Sequence, residues 1–211
     1  MLLYCREAGN LIEVAGEKGS GKTSLLHMLC TINTLENKRT LYLDGSGSFR
    51  PEKIRDHLEE SYRFKKEEII EYLRNISFVR IYESDNIFNL LRKIKLLNID
   101  YIVIDDLMIL FLNNHRSKVR FQVRRFVREM ALIVLLKRIS IIFTNTIIRK
   151  SDNDNSHPFL YELFYNDLVR YVHVKALLQK STTNVIDFNI IYPTKLNSLK
   201  FESRFGCGQT Q

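Results

Sequence analysis

The residues best suited to chemistry lie near the start of the chain, where Gly16 to Thr23 match the spacing G-x-x-x-x-G-K-[ST] at every constrained position. The apolar run Leu11–Ala15 precedes them, and residues 24–29 have the character of an opening helix, so a strand, a loop and a helix are predicted in that order. Glycines let backbone N–H groups turn toward an anion, and a helix N-terminus adds partial positive charge. The spacing therefore predicts a loop that binds a nucleoside triphosphate.

The side chains of this loop have distinct expected roles. Lys22 is expected to reach the β- and γ-phosphates, and the Thr23 hydroxyl to coordinate Mg²⁺. The alternative is a glycine-containing turn between a strand and a helix, followed by a chance Lys-Thr pair. The predicted nucleotide-binding residues are Gly16, Glu17, Lys18, Gly19, Ser20, Gly21, Lys22, Thr23 and Ser24.

A second candidate site is Tyr101–Asp106, a short run rich in β-branched residues that ends in two carboxylates. An apolar strand ending in Asp commonly accompanies a phosphate-binding loop, because ligands lie at the carboxyl ends of parallel strands. Asp105 is expected to hold Mg²⁺, directly or through a water. The alternative is a buried strand that ends in an Asp-containing turn.

The composition limits the class of protein. The chain has 211 residues, 45% of them hydrophobic and 27% charged, and we expect residues 1–211 to form one α/β domain. Its apolar runs are far shorter than the roughly 18 residues of a membrane-spanning helix, so no membrane span is expected. Three scattered cysteines match neither a disulfide framework nor a zinc site. The net charge of +8 favours a polyanionic partner such as nucleic acid.

Strands and helices are predicted to alternate along the chain, which favours a mainly parallel twisted sheet covered by helices on both faces. The closing strands Leu168–Lys180 and Val185–Tyr192 are expected to extend one edge in antiparallel fashion, and the polar segment 149–158 is expected to be a loop. The other predicted strands are 11–15, 40–44, 76–82, 101–106 and 139–145; predicted helices follow residues 23 and 50 and cover 65–75, 86–97 and 117–137.

A basic stripe is predicted on and just before helix 117–137, where an arginine recurs at every fourth position. A solvated basic face and a phosphate-binding stripe explain it equally well. The four residues are Arg116, Arg120, Arg124 and Arg128.

Several segments, taken in order, resemble one family: the RecA-type recombinases, and among them the eukaryotic and archaeal strand-exchange proteins and their paralogues. The resemblance covers about residues 9–192, and its specific parts are Phe49-Arg50-Pro51-Glu52 and the Thr144-Asn145 strand end. It implies an ATP-binding core that uses Mg²⁺. The matching segments are residues 10–16, 41–53, 101–107, 124–128 and 141–147.

The chain departs from the family pattern at positions that matter for turnover. Ser46 stands where active recombinases have the glutamate that activates the attacking water, and a hydroxyl has no basicity at neutral pH. Thr146 stands where the family has a glutamine that senses the γ-phosphate. Asp106 is a candidate replacement for the lost base. The family's N-terminal helical domain is also expected to be absent.

The resemblance and these departures together predict a nuclear recombinase paralogue that assists filament assembly on single-stranded DNA, with weak or absent ATP hydrolysis. Its expected partner is another RecA-like subunit, paired across the nucleotide. The alternatives are a P-loop small-molecule kinase or transferase, and a RecA-like scaffold without nucleotide turnover.

Two further sets of contacts are carried over from the family. Lys53 matches a cationic position that lies against the adenine ring. Direct DNA contact is expected from Arg116 and Lys118, which follow the second site, and from Arg149 and Lys150 in the predicted loop. The alternative is that these charges are solvated and the partner subunit supplies the DNA surface.

Overall fold

The computed structural model describes residues 9–112, 116–150, 159–181, 185–192 and 199–202. The strands are β1 (Leu11–Gly16), β2 (Thr40–Asp44), β3 (Ile76–Arg80), β4 (Tyr101–Asp105), β5 (Ser140–Lys150), β6 (Phe159–Glu162), β7 (Val174–Lys180), β8 (Val185–Tyr192) and β9 (Leu199–Glu202). The helices are α1 (Lys22–Leu35), α2 (Pro51–Tyr62), α3 (Lys66–Leu73), α4 (Ser84–Ile94), α5 (Met108–Leu112), α6 (Arg116–Lys137) and α7 (Tyr165–Leu168).

The strands form one sheet in the order β3-β2-β4-β5-β1-β7-β8-β9, with β6 paired to β5 outside this path. The strands from β3 to β7 in this order pair in parallel, whereas β8 and β9 continue the sheet in antiparallel fashion. The predicted fold class, a mainly parallel α/β sheet with antiparallel edge strands, is confirmed. Because parallel strands all end at the same edge, this topology gathers the ends of β1, β2, β4 and β5 in one place.

Two hydrophobic cores cover the two faces of the sheet. One core packs α4, α5 and α6 against alternate residues of the central strands, with Phe111, Phe126 and Phe143 fully buried in it. The other packs α1, α2 and α3 against the opposite face, around Tyr42 and Phe188. Burial on both faces explains why the central strands are almost continuously apolar, since neither face meets water.

The end of the parallel sheet differs from the prediction. Residues 168–173 form a helix end and turns, and the strand begins only at Val174. Strand β5 continues to Lys150 and pairs with β6, so Arg149 and Lys150 belong to a hairpin rather than to a loop. Residues 151–158, predicted to continue that loop, lie outside the described residues. Within the described part, none of the helices is both long and apolar enough to cross a membrane.

The arginine stripe has a structural partner that the sequence did not indicate. Arg120 and Arg124 both donate to the Asp167 carboxylate of α7, at 3.1 and 2.6 Å, and that carboxylate is buried. The two guanidinium groups lower the Asp167 pKa, although burial by itself would raise it. Both arginines remain exposed to solvent, as the solvated-face explanation predicted, and they also fasten α7 to α6.

Candidate nucleotide-binding site

Two glycines of the P-loop are required by close approach of the chain. An added Cβ at Gly16 would lie 2.5 Å from Ser20 Oγ and 2.7 Å from the Leu178 carbonyl oxygen. Gly21 forms the N-cap of α1 with a φ of 93°, a left-handed conformation that non-glycine residues rarely adopt, and a Cβ there would meet Ile186. These contacts fix the loop between the end of β1 and the start of α1.

Lys22 is folded along this loop. Its ammonium group donates to the carbonyl oxygens of Gly16, at 2.8 Å, and Glu17, at 2.9 Å. A lysine ammonium has three donors, so one remains for a ligand in the cleft. Burial lowers the Lys22 pKa, and the negative charges of Asp106 and Asp105 oppose that shift. The Lys22 ammonium is thus held in position at the open side of the loop, where it can donate a hydrogen bond to a ligand.

Asp105, the last residue of β4, is the centre of a hydroxyl network. Its Oδ2 atom accepts from Thr23 at 2.7 Å, and its Oδ1 atom accepts from Thr144 at 2.8 Å. Oδ2 also accepts from the hydroxyls of Tyr42, at 3.1 Å, and Ser48, at 2.7 Å. The side chain is buried and its orientation is fixed from four directions.

Sequence reasoning missed Tyr42, Ser48 and Thr144 as partners of this carboxylate. The available signal was weak: Thr144 and Ser48 carry hydroxyls near or beyond the carboxyl end of a predicted strand, and Tyr42 lies in the middle of one. Their convergence depends on β2 and β5 both flanking β4, which the pairings Leu43↔Ile104 and Ile104↔Phe143 establish.

The donor set of Thr23 and Asp105 suits Mg²⁺. Both provide hard oxygen atoms, and their oxygens lie 2.7 Å apart. Mg²⁺ in nucleotide sites is typically held by one or two protein oxygens together with phosphates and several waters. These two residues therefore fit the predicted role.

A cleft of about 560 Å³ opens beside these residues. The P-loop forms one wall, and Ser46, Asp106 and Thr146 belong to the rest of the lining, which we call the opposite wall. The complete lining is Lys18, Gly19, Gly21, Lys22, Thr23, Ser24, Ser46, Asp105, Asp106, Ile109 and Thr146. The structure thus brings six of the nine predicted P-loop residues into one cavity with Ser46 and Thr146, the two departures from the family pattern, and with Asp106, the candidate replacement base.

Asp106 lies on this opposite wall in a constrained backbone conformation, with a φ of 54°. Its amide N–H donates to Thr144 Oγ1 at 2.8 Å, and its carboxylate accepts from the Thr146 hydroxyl at 3.3 Å. Burial raises the Asp106 pKa, with the charge of Asp105 the next cause. Asp106 is thus a carboxylate on the cleft wall, but it accepts a hydrogen bond from Thr146, the short residue at the position where the resembling family has a glutamine.

Ser46 is held in place by the loop that carries it. The buried Asp44 carboxylate accepts from the backbone N–H groups of Ser46, at 2.9 Å, and Gly47, at 2.8 Å, and forms an ion pair with Arg80. The Ser46 hydroxyl also donates to Ser48 at 2.7 Å. Ser46 therefore occupies a defined position with only a hydroxyl to offer the cleft.

The Rad51 family model matches residues 1–167 of the chain. The chain belongs to the Rad51 family. Its resemblance to RecA-type recombinases is thereby confirmed.

The chain is similar to proteins named for DNA repair or recombination. The chain is 26% identical to DNA repair protein RAD51 homolog B of Zea mays over 161 residues, covering 69% of this chain and 46% of that protein. It is 27% identical to DNA repair and recombination protein RadA of Methanococcus maripaludis over 172 residues, covering 69% and 52%. It is 32% identical to meiotic recombination protein DMC1 of Saccharomyces cerevisiae over 109 residues, covering 47% and 31%. The chain spans about half the length of the first two relatives.

Some predicted site residues lie away from the cleft. Glu17 and Ser20 line a second cavity of about 410 Å³, which borders β7 and β8. Lys53 is exposed on the first turn of α2 and is not part of the lining of the cleft, so its contact with a base stays a prediction.

The four predicted DNA-contacting residues fall on two elements. Arg116 is the first residue of α6, and Lys118 is exposed in its first turn. Arg149 and Lys150 pair through their backbones with Leu160 and Phe159 of β6. The side chains of Arg116, Arg149 and Lys150 are outside the described part of the structure, and their DNA contacts stay a prediction.

Proposed function

We propose that this chain is the ATP-binding core of a recombinase paralogue. In this proposal it binds ATP and Mg²⁺, hydrolyses ATP weakly or not at all, and assists a RecA-like partner subunit on single-stranded DNA in the nucleus. The observation that carries the proposal is the composition of the cleft: Lys22, Thr23 and Asp105 on one side, and Ser46 and Thr146 on the other.

ATP binding rests on the P-loop and its surroundings. The N-terminus of α1 and the remaining donor of Lys22 would meet the phosphates, and Ser24 lines the same wall. Thr23 and Asp105 would hold Mg²⁺, which neutralises charge on the phosphate oxygens when it is bound. Every protein group in this account already lies in or beside the cleft.

Weak hydrolysis follows from the opposite wall. A general base must be able to accept a proton from the attacking water, and the Ser46 hydroxyl cannot do so at neutral pH. The remaining carboxylate on that wall is Asp106, which is bonded to Thr146 and faces the positive charge of Lys22. We propose that any residual hydrolysis depends on Asp106.

The proposed DNA surface combines the start of α6 with the β5–β6 hairpin. Arg120 and Arg124 do not enter it, because Asp167 holds both of them. The net charge of +8 and the names of the DNA repair relatives support a nucleic-acid partner. Each neutralised phosphate on single-stranded DNA would contribute about −0.7 to the log–log salt slope.

One set of measurements separates the proposal from its alternatives. Equilibrium binding of a fluorescent ATP analogue and of a fluorescent single-stranded oligonucleotide is measured at low salt, with co-purification from the source cell to identify partner subunits. ATP binding, DNA binding and a RecA-like partner together support the proposal. A small-molecule kinase would bind ATP without a RecA-like partner, and a scaffold would bind the partner without ATP.

The DNA site is tested by reversing charge in the hairpin with Arg149→Glu and Lys150→Glu. The matched control is Lys38→Glu with Lys93→Glu, two exposed lysines near the opposite ends of the strands. Loss of oligonucleotide binding only in the hairpin variant supports direct contact. Equal binding by a folded hairpin variant places the DNA surface elsewhere or on the partner subunit.

A further inference from the structure

A cluster of three charged side chains and one amide, buried or nearly so, lies across four strands just behind the nucleotide cleft. Glu13 of β1 stands directly beside Lys175 of β7 in the parallel register. The Lys175 ammonium lies 2.6 and 2.5 Å from the two carboxylate oxygens of Glu162, on β6, and 3.6 Å from Glu13 Oε2. The amide nitrogen of Asn145, on β5, donates to Glu13 Oε1 at 2.8 Å.

The cluster is short of positive charge. It holds two carboxylates and one ammonium group, and Glu13 is completely buried. Among the described residues, no donor forms a hydrogen bond to Glu13 Oε2, although Oε1 accepts one. A buried carboxylate oxygen without a donor is costly, and a proton on that oxygen removes both the excess charge and part of the desolvation cost.

We propose that the cluster of Glu13, Asn145, Glu162 and Lys175 is a proton-binding site that controls how firmly β6 is held to the sheet behind the nucleotide cleft. The proton comes from solvent and binds to Glu13 Oε2, which leaves Lys175 to pair fully with Glu162. When Glu13 loses this proton, the fully buried carboxylate of Glu13 and the partly buried one of Glu162 compete for one ammonium group. The weaker attachment is that of Glu162, because β6 pairs only with β5 among the described strands.

The electrostatics agree with this geometry. The Glu13 pKa is raised to about 8, first by burial and then by the charge of Glu162, while Lys175 acts in the opposite direction. The groups that face Glu13 are Glu162 from β6, Lys175 from β7 and the neutral Asn145 from β5. From α7, the Tyr165 ring lies 4.5 Å from the Lys175 ammonium.

The sign of the pH dependence follows from the raised pKa. The folded chain retains a proton that an unfolded Glu would release near its ordinary pKa of 4.5. Stability from this site is therefore complete below about pH 4.5 and is lost as the pH rises through about 8, because the folded state binds more protons in that window. The unfolding equilibrium constant rises by up to about tenfold per pH unit within it.

The site is connected to the cleft through Asn145. This amide also donates to the Leu163 carbonyl, at 2.9 Å, and its oxygen accepts from the Thr146 backbone N–H, also at 2.9 Å. Thr146 lies in the cleft wall and bonds to Asp106. Release of β6 would therefore change the hydrogen bonds behind the wall that carries Thr146.

The test places one fluorophore on β6. The chain contains no tryptophan, so Tyr161→Trp, at an exposed position, introduces a unique reporter next to Glu162. We expect its fluorescence and its accessibility to a neutral quencher to change between pH 6 and pH 9, with a midpoint near pH 8. In the same background, Glu13→Gln keeps the acceptor for Asn145 without an ionisable group, so the response should disappear.

The control is Glu67→Gln, which removes an exposed carboxylate from α3 and should leave the midpoint unchanged. If Glu13→Gln does not fold, Glu162→Gln provides the second variant, and removal of the neighbouring negative charge should move the midpoint to lower pH. A flat response in the parent reporter overturns the proposal. The proposal is also overturned if the midpoint of the fluorescence change is the same in the parent reporter and in Glu13→Gln. A midpoint that Glu162→Gln does not move overturns it as well.

Discussion

The two walls of the nucleotide cleft differ in what they offer a phosphate group. The P-loop wall presents an ammonium donor, a helix N-terminus and a hydroxyl beside a buried carboxylate. The opposite wall presents two short hydroxyl side chains, Ser46 and Thr146, and the Asp106 carboxylate. Binding a nucleotide requires mainly the first wall, whereas activating a water requires a base on the second. This difference is the basis of the proposal that the site holds ATP and hydrolyses it slowly or not at all.

The walls are nevertheless equally well anchored. Asp105 is held by four hydroxyls, and the Ser46 loop is held by the buried Asp44. The opposite wall is therefore an ordered surface, but the side chain at the position of Ser46 cannot act as a general base. This distinction can be tested because a substitution on the P-loop wall should change the ATP affinity, whereas one on the opposite wall should change the hydrolysis rate and leave the affinity nearly unchanged.

Removal of the P-loop ammonium should give the largest effect. We expect Lys22→Ala to weaken ATP binding by about 100-fold, because a charge-assisted contact is worth about 3 kcal/mol and each 1.4 kcal/mol corresponds to roughly tenfold in Kd. Isothermal titration with ATP and Mg²⁺ measures the change. Lys18→Ala, which removes an exposed ammonium from the same loop, should have a much smaller effect. Unchanged affinity in Lys22→Ala would contradict the role of this wall.

A base introduced on the opposite wall should produce a gain of activity. We expect Ser46→Glu to increase the single-turnover hydrolysis rate by up to about 100-fold, since general-base assistance is typically worth about 10²-fold or more. The ATP affinity should change little. Ser46→Gln, which has the same length without basicity, serves as the control. Equal rates in both variants would show that the missing base is not what limits turnover.

Asp106 tests whether the opposite wall retains any activity of its own. We expect Asp106→Asn to reduce the residual hydrolysis rate by about tenfold or more, because the amide cannot accept the proton. ATP affinity should be nearly unaffected, which a parallel titration checks. Loss of affinity and rate by the same factor would instead assign Asp106 to binding.

The smallest expected effect concerns the anchoring of Asp105. Tyr42→Phe removes one of the three donors to Oδ2, and the carboxylate keeps Thr23 and Ser48. We expect a loss of about 1 kcal/mol in the free energy of unfolding, measured by chemical denaturation, because a single net hydrogen bond contributes about this much. Tyr62→Phe, at an exposed ring, is the matched control. A loss as small as that of the control would show that Tyr42 does not support Asp105.

The sequence by itself determined the local parts of the site. The glycine spacing, Lys22 and Thr23 follow one another along the chain, and the apolar run before Asp105 predicts a buried strand without reference to any partner. Local backbone preferences and hydrophobic periodicity are sufficient for these features, because each involves residues that are near neighbours in the chain. The departures at Ser46 and Thr146 came instead from the resemblance to the RecA-type recombinases.

Only the tertiary structure decided which distant side chains meet. The hydroxyls on Asp105, the Arg120 and Arg124 contacts to Asp167, and the pairing of Lys175 with Glu13 and Glu162 join residues 13 to 162 positions apart. The extension of β5 through Arg149 and Lys150 likewise depends on a second strand, β6, that pairs with it. Such contacts follow from strand order and register, which fix the geometry between elements, and periodicity within a single element carries no information about them.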